Sequence, residues 1–90
     1  MGKYYFTFGT DRHYPYKDGW VEVEAPDMSD AIKIFDNKFP NPRDNGLINC
    51  AGIYSEYSFN KTKMSKGGNF GAFCHEVLQY SEEGVNENEP

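Results

Sequence analysis

Long apolar runs, cysteine, histidine and late basic residues are what this 90-residue sequence has least of. No stretch of about 18 apolar residues occurs, so no segment reads as a membrane-spanning helix. The Met1-Gly2-Lys3 start leads into an alternating aromatic segment in place of a signal peptide's apolar region, and an intracellular, cytoplasmic, full-length polypeptide is expected. Phe6 stands where an N-myristoylation signal needs Ser or Thr, which sets lipidation aside. Two cysteines, Cys50 and Cys74, allow one disulfide but form no framework, and both are expected to be reduced and buried. With His13 and His75 they could supply four metal ligands, yet the short ligand spacing of a zinc site is missing, so no metal is expected.

Catalytic signatures are equally scarce. Gly67-Gly68-Asn69-Phe70-Gly71 lacks the Lys-Ser/Thr ending of a phosphate loop, and no nucleophile elbow or His-Glu-x-x-His occurs. Cys74 and His75 would project to opposite faces of a strand, which separates the thiol from its nearest base. Cys50 with His75, and Asp11 with Glu22 or Glu24, are weaker pairings. Enzyme is the least favoured class, and no cofactor is expected.

Charge and aromatics are what the chain does have. Fourteen acidic against nine basic residues give a net charge of −5, which repels duplex nucleic acid unless the cations are gathered on one face. Lys61, Lys63 and Lys66 form the densest basic group and read as a solvated loop. Beyond Cys74 no basic residue follows, while Glu76, Glu82, Glu83, Glu87 and Glu89 make an acidic patch or tail. Seven Tyr, seven Phe and one Trp exceed what so small a core can hide, so some of them are expected to line a surface.

Periodicity divides the chain into one domain over 1–80 and a mobile acidic tail over 81–90. Lys3 to Phe8 reads as a strand with Tyr4, Phe6 and Phe8 on one face. Trp20 to Ala25 alternates cleanly, with Val21, Val23 and Ala25 inward and Glu22 and Glu24 outward. Asp27 is the expected N-cap of a helix from Met28 to Lys38, whose Met28, Ala31, Ile32, Phe35 and Phe39 share one face before Pro40 ends it. Leu47 to Tyr54 reads as an interior strand. Ser55 to Asn60 is assigned to a short helical turn, although Tyr57 and Phe59 also alternate as in a strand. Gly67 to Gly71 reads as flexible, with Phe70 and Phe73 folding back on the sheet, and Phe73 to Tyr80 as the last strand. The expected architecture is a two-layer α+β domain: about four mostly antiparallel strands packed on one main helix, with the opposite sheet face open.

The eleven-residue stretch from Gly9 to Gly19 exceeds an ordinary hairpin loop and carries Asp11, Arg12, His13, Tyr14, Tyr16 and Lys17. A guanidinium, phenol rings and an ammonium suit a protein hot spot or a nucleotide. The competing reading folds both tyrosines over the core edge. Because Arg12 and Lys17 are balanced by Asp11 and Asp18, a direct nucleic-acid strand is disfavoured. An acidic domain with exposed aromatics could instead occupy a basic nucleic-acid site on another protein.

Tyr5-Phe6-Thr7-Phe8-Gly9, Gly19-Trp20-Val21-Glu22-Val23-Glu24-Ala25, Ile34-Phe35-Asp36-Asn37-Lys38-Phe39 and Ala51-Gly52-Ile53-Tyr54-Ser55-Glu56 together resemble small accessory proteins of bacteriophages and integrated mobile elements. The likeness covers roughly the first 60 residues, and Tyr57, Ser58 and Phe59 depart from that family's acidic short helix. The resemblance implies an anti-defence, anti-CRISPR-like inhibitor whose partner is a bacterial host defence protein or nucleoprotein complex. The candidate partner-binding residues are Arg12, Tyr14, Tyr16, Lys17, Trp20, Glu22 and Glu24. Two alternatives stand beside it: a sponge that sequesters a nucleotide signal on Arg12 or Lys17, and a subunit of a phage assembly.

Overall fold

The computed structural model describes residues 1–43, 45–62 and 74–80. Their elements run in the order β1 (Gly2–Thr7), β2 (Trp20–Ala25), α1 (Met28–Lys38), β3 (Gly52–Ser55), α2 (Glu56–Phe59) and β4 (Cys74–Gln79). One sheet results, in the order β3-β1-β2-β4. β1 is antiparallel to both β2 and β3, whereas β4 runs parallel to β2 with an irregularity between Trp20 and Val21. A mostly antiparallel four-stranded sheet packed against helices is the α+β class that the periodicities predict.

Alternation sends Phe6, Phe8, Val21, Val23 and Ala25 to one face, where Ala31 and Phe35 of α1 complete a fully buried cluster. The Phe6 and Phe35 rings stack with centroids 4.4 Å apart, which fixes the helix against the centre of β1. α1 begins where expected because the Asp27 carboxylate accepts the Asp30 N–H at 2.9 Å. It ends with the Phe39 N–H on the Phe35 carbonyl, one residue before Pro40, which has no N–H to continue it.

Leu47 to Tyr54 departs from the expected interior strand: it becomes a strand only at Gly52, and that strand lies at a sheet edge. Asparagine side chains explain the difference. Asn45 accepts the Leu47 N–H at 3.1 Å and Asn41 donates to the Leu47 carbonyl at 3.0 Å, so both backbone groups of Leu47 are engaged outside a ladder. A Cys50 N–H to Ile48 carbonyl bond of 2.8 Å then tightens the chain, and regular pairing is preceded only by the Ala51 N–H on the Thr7 carbonyl.

Two further expectations are corrected. Cys74 is exposed, not buried, because the sheet ends beside it, while Cys50 is half-buried and both thiols are free. Burial pushes the Cys50 thiol up to about 11. Nor is the sheet face opposite α1 simply open, because Ser55 caps the single turn of α2, and that turn lays Phe59 on the face. This settles the Tyr57–Phe59 segment as helical. The start of the last strand at Phe73, flexible Gly67 to Gly71, the folding back of Phe70 and Phe73, Lys63, Lys66 and the acidic tail over 81–90 lie outside the described residues.

Candidate functional site

The Gly9–Gly19 loop is closed at its neck by the Asp18 N–H on the Gly9 carbonyl, 2.6 Å. Gly9, Asp18 and Gly19 all take positive φ there, a conformation that glycine adopts freely and aspartate tolerates. The neck turns the loop back over the α1 side of the sheet. Tyr16 stacks on His75 with centroids 4.3 Å apart and meets Phe8 and Phe39 edge-on. Its hydroxyl donates to Glu76 Oε1 at 3.0 Å, and Lys38 Nζ holds Glu76 Oε2 at 3.0 Å. The His75 ring also bonds the Asp18 carbonyl. Lys38, and then the Tyr16 hydroxyl, hold the Glu76 carboxyl below its ordinary value, while the bond to Glu76 raises the Tyr16 phenol.

Tyr14 packs against Phe8, with the Arg43 guanidinium 5.7 Å from the Tyr14 ring centroid. Asp11 accepts both the His13 backbone N–H and His13 Nδ1 at 2.8 Å, and these bonds lower its carboxyl. Arg12 and Lys17 remain exposed. The loop therefore spends its tyrosine faces on Phe8, His75 and Phe39 and presents mainly charged side chains.

Trp20, Glu22 and Glu24 occupy the reverse face, since Val21 and Val23 point into the core. The seven candidate residues thus fall into two groups on different sides of the sheet: Arg12, Tyr14, Tyr16 and Lys17 in one, Trp20, Glu22 and Glu24 in the other. On the reverse face, Phe59 stacks on Tyr5 with centroids 4.0 Å apart and meets Trp20 and Tyr54 edge-on. Tyr5 is 7% exposed. Burial, and then the carboxylates of Glu22 and Glu56, the Cys74 thiol and Glu24, push its phenol up to about 12. Of the three carboxylates, Glu22 lies across from Tyr5, Glu24 lies across from Lys3 on the same face, and Glu56 opens the turn that carries Phe59. Among the described residues none of the three forms an ion pair.

Next to Glu22 in the ladder stands Val77, 49% exposed, and next to Glu24 stands Gln79. Sequence reasoning identified Trp20, Glu22 and Glu24 but missed Tyr5, Glu56, Phe59 and Val77. Alternation places Tyr5 on the face opposite Phe6, but its register across from Glu22 and the closure of α2 over that pair are tertiary contacts with no local signal.

Charge is unevenly distributed along the chain. All nine basic and ten of the acidic residues fall within 1–80, while the remaining four, Glu82, Glu83, Glu87 and Glu89, follow β4 directly. Among the described residues, no cluster of His, Cys, Asp or Glu could hold a metal ion, and no helix is long and apolar enough to cross a membrane. An open groove of about 280 Å³ is lined by Asp36, Pro40, Asn41, Gly46, Leu47 and Ile48; it carries a carboxylate and no cation, the reverse of what a phosphate requires. Comparison with family models, curated proteins and solved structures finds no match.

Proposed function

We propose that the protein is a non-catalytic binding module whose reverse face, built on Trp20, Glu22, Glu24 and Glu56, engages a basic nucleic-acid-binding or regulatory surface of a bacterial defence protein. The carrying observation is that Glu22 and Glu24 share the reverse face with the Tyr5–Phe59–Trp20 cluster and form no ion pair among the described residues, even with Lys3 across from Glu24. The half-buried Glu22 and Glu24 and the exposed Glu56 supply steering and register, while the rim of Trp20 and the exposed Val77 supply apolar area. The bacteriophage and defence setting comes from the resemblance of the first 60 residues to phage accessory proteins. A cytoplasmic location and an intact phage or host nucleoprotein partner belong to the same reading.

Support for a nucleotide sponge is weaker, because Tyr14 and Tyr16 are packed inward and leave Arg12 and Lys17 without a stacking partner for a base. The assembly-subunit alternative has no observation in its favour.

The test is phage plating on bacteria that carry single, defined defence systems and express the chain. Restored plating on one of them, reduced at least tenfold by the pair Glu22→Lys and Glu24→Lys in a folded variant, is the expected result. Plating unchanged on every system, or restoration indifferent to the charge reversal, would remove the proposal.

A further inference from the structure

We infer that the outer edge of β4 accepts an extended, basic segment of the partner as a fifth strand, with its cationic side chains reaching across β4 to Glu22 and Glu24. This rests on the reverse-face reading above and specifies the partner's shape and chemistry.

The backbone geometry of β4 gives the direction. The Tyr80 N–H bonds the Glu24 carbonyl on β2 at 2.9 Å. Backbone groups alternate sides along a strand, so Leu78 and Glu76 also face β2, whereas the N–H and carbonyl groups of Val77 and Gln79 face outward. No strand among the described residues pairs with that side. The other edge of the sheet is guarded differently: β3 is only four residues long and runs directly into α2. β4 has six residues and, along the regular part from Glu76 to Gln79, none of the lysine, proline or bulge devices that normally blunt an edge.

Charge and register select the occupant. Val77 is opposite Glu22 and Gln79 opposite Glu24, so the two outward backbone positions and the two carboxylates share one period of two. A lysine or arginine placed beside Val77 would lay its methylene stem over that exposed valine and bring its charge to Glu22; a second, two residues away, would do the same over Gln79 for Glu24. A second copy of this chain, with its net charge of −5, is electrostatically the poorer occupant.

The experiment titrates the full chain with an octapeptide alternating lysine and valine, following amide exchange by NMR and Trp20 fluorescence. Exchange of the Val77 and Gln79 amides is expected to slow at least tenfold. The affinity should fall at least tenfold for the fully N-methylated peptide, and also for Val77→Pro, a change at an N–H that the sheet does not use. The peptide control keeps the test valid if that variant misfolds. Absence of binding at millimolar peptide would overturn the inference. So would a fluorescence response with Val77 and Gln79 amides exchanging at their free rates, which would leave the face reading intact, since that reading falls only with the plating assay. A concentration-dependent dimer lost in Val77→Pro would also overturn it, by assigning the edge to a second copy.

Discussion

The two faces of the sheet are built from the same four strands and yet are different materials. On the α1 side, seven side chains are fully enclosed, and an eleven-residue helix covers them. On the reverse side a four-residue helix presses one phenylalanine onto Tyr5, and Glu22 and Glu24 stand beside it together with Lys3, Trp20 and Val77. Stability is concentrated on the first face, which leaves the second free to carry charge that a core would not tolerate. A protein of this size can specialise its faces in this way because a single helix already supplies the enclosed core that folding requires.

Substitutions at Phe35 and Phe59 test that division most severely. Phe35→Ala empties the centre of the enclosed face and should cost about 4 kcal/mol in urea unfolding, enough to leave much of the chain unfolded. Phe59→Ala is expected to cost about 3 kcal/mol or less, with a red-shifted Trp20 emission and an intact α1. Equal costs would mean that the reverse face is a second core and not a lightly covered surface.

Alkaline titration sharpens the comparison from the electrostatic side. The Tyr5 phenol is raised, so its contribution to stability is complete below the ordinary phenol value of about 10 and is lost as the pH climbs toward about 12. Ultraviolet titration should show one tyrosine ionising late, and Glu22→Gln with Glu56→Gln should bring that ionisation earlier. An unchanged titration would separate the carboxylates from Tyr5.

A smaller effect is expected on the α1 side. Tyr16→Phe removes one hydrogen bond to Glu76, at a cost of about 1 kcal/mol. The lowered Glu76 carboxyl contributes stability above its ordinary value, and that contribution disappears as the pH falls through the depressed value. The mutant's acid unfolding curve should therefore converge on the parent's at low pH. A constant offset at all pH values would assign the loss to packing against His75.

Legibility in the sequence followed the range of the interaction. The strands expected over Lys3–Phe8 and Trp20–Ala25 and the Asp27-capped helix are written in local alternation, capping and 3.6-residue spacing; the second strand and the helix stand where the pattern puts them, and the first is shifted by one residue to Gly2–Thr7. Leu47 to Ala51 looked like strand because its side chains are apolar, but strand pairing was decided by the amides of Asn41 and Asn45. For the candidate site, alternation gave the shared face of Trp20, Glu22 and Glu24. It could not show that Tyr16 meets Glu76 sixty positions away, nor that Phe59 closes over Tyr5. Those contacts depend on how the elements pack.

The parallel pairing of β2 with β4 has a consequence for synthesis. Trp20 meets Cys74, so a chain emerging from the ribosome can form the β1–β2 hairpin and dock α1 long before the strand that borders β2 exists. Through that interval β2 is itself an unprotected border, and the like charges of Glu22 and Glu24 disfavour its pairing with another copy of itself. The glutamates proposed to recognise a partner in the finished molecule thus also place like charges along that border before β4 exists.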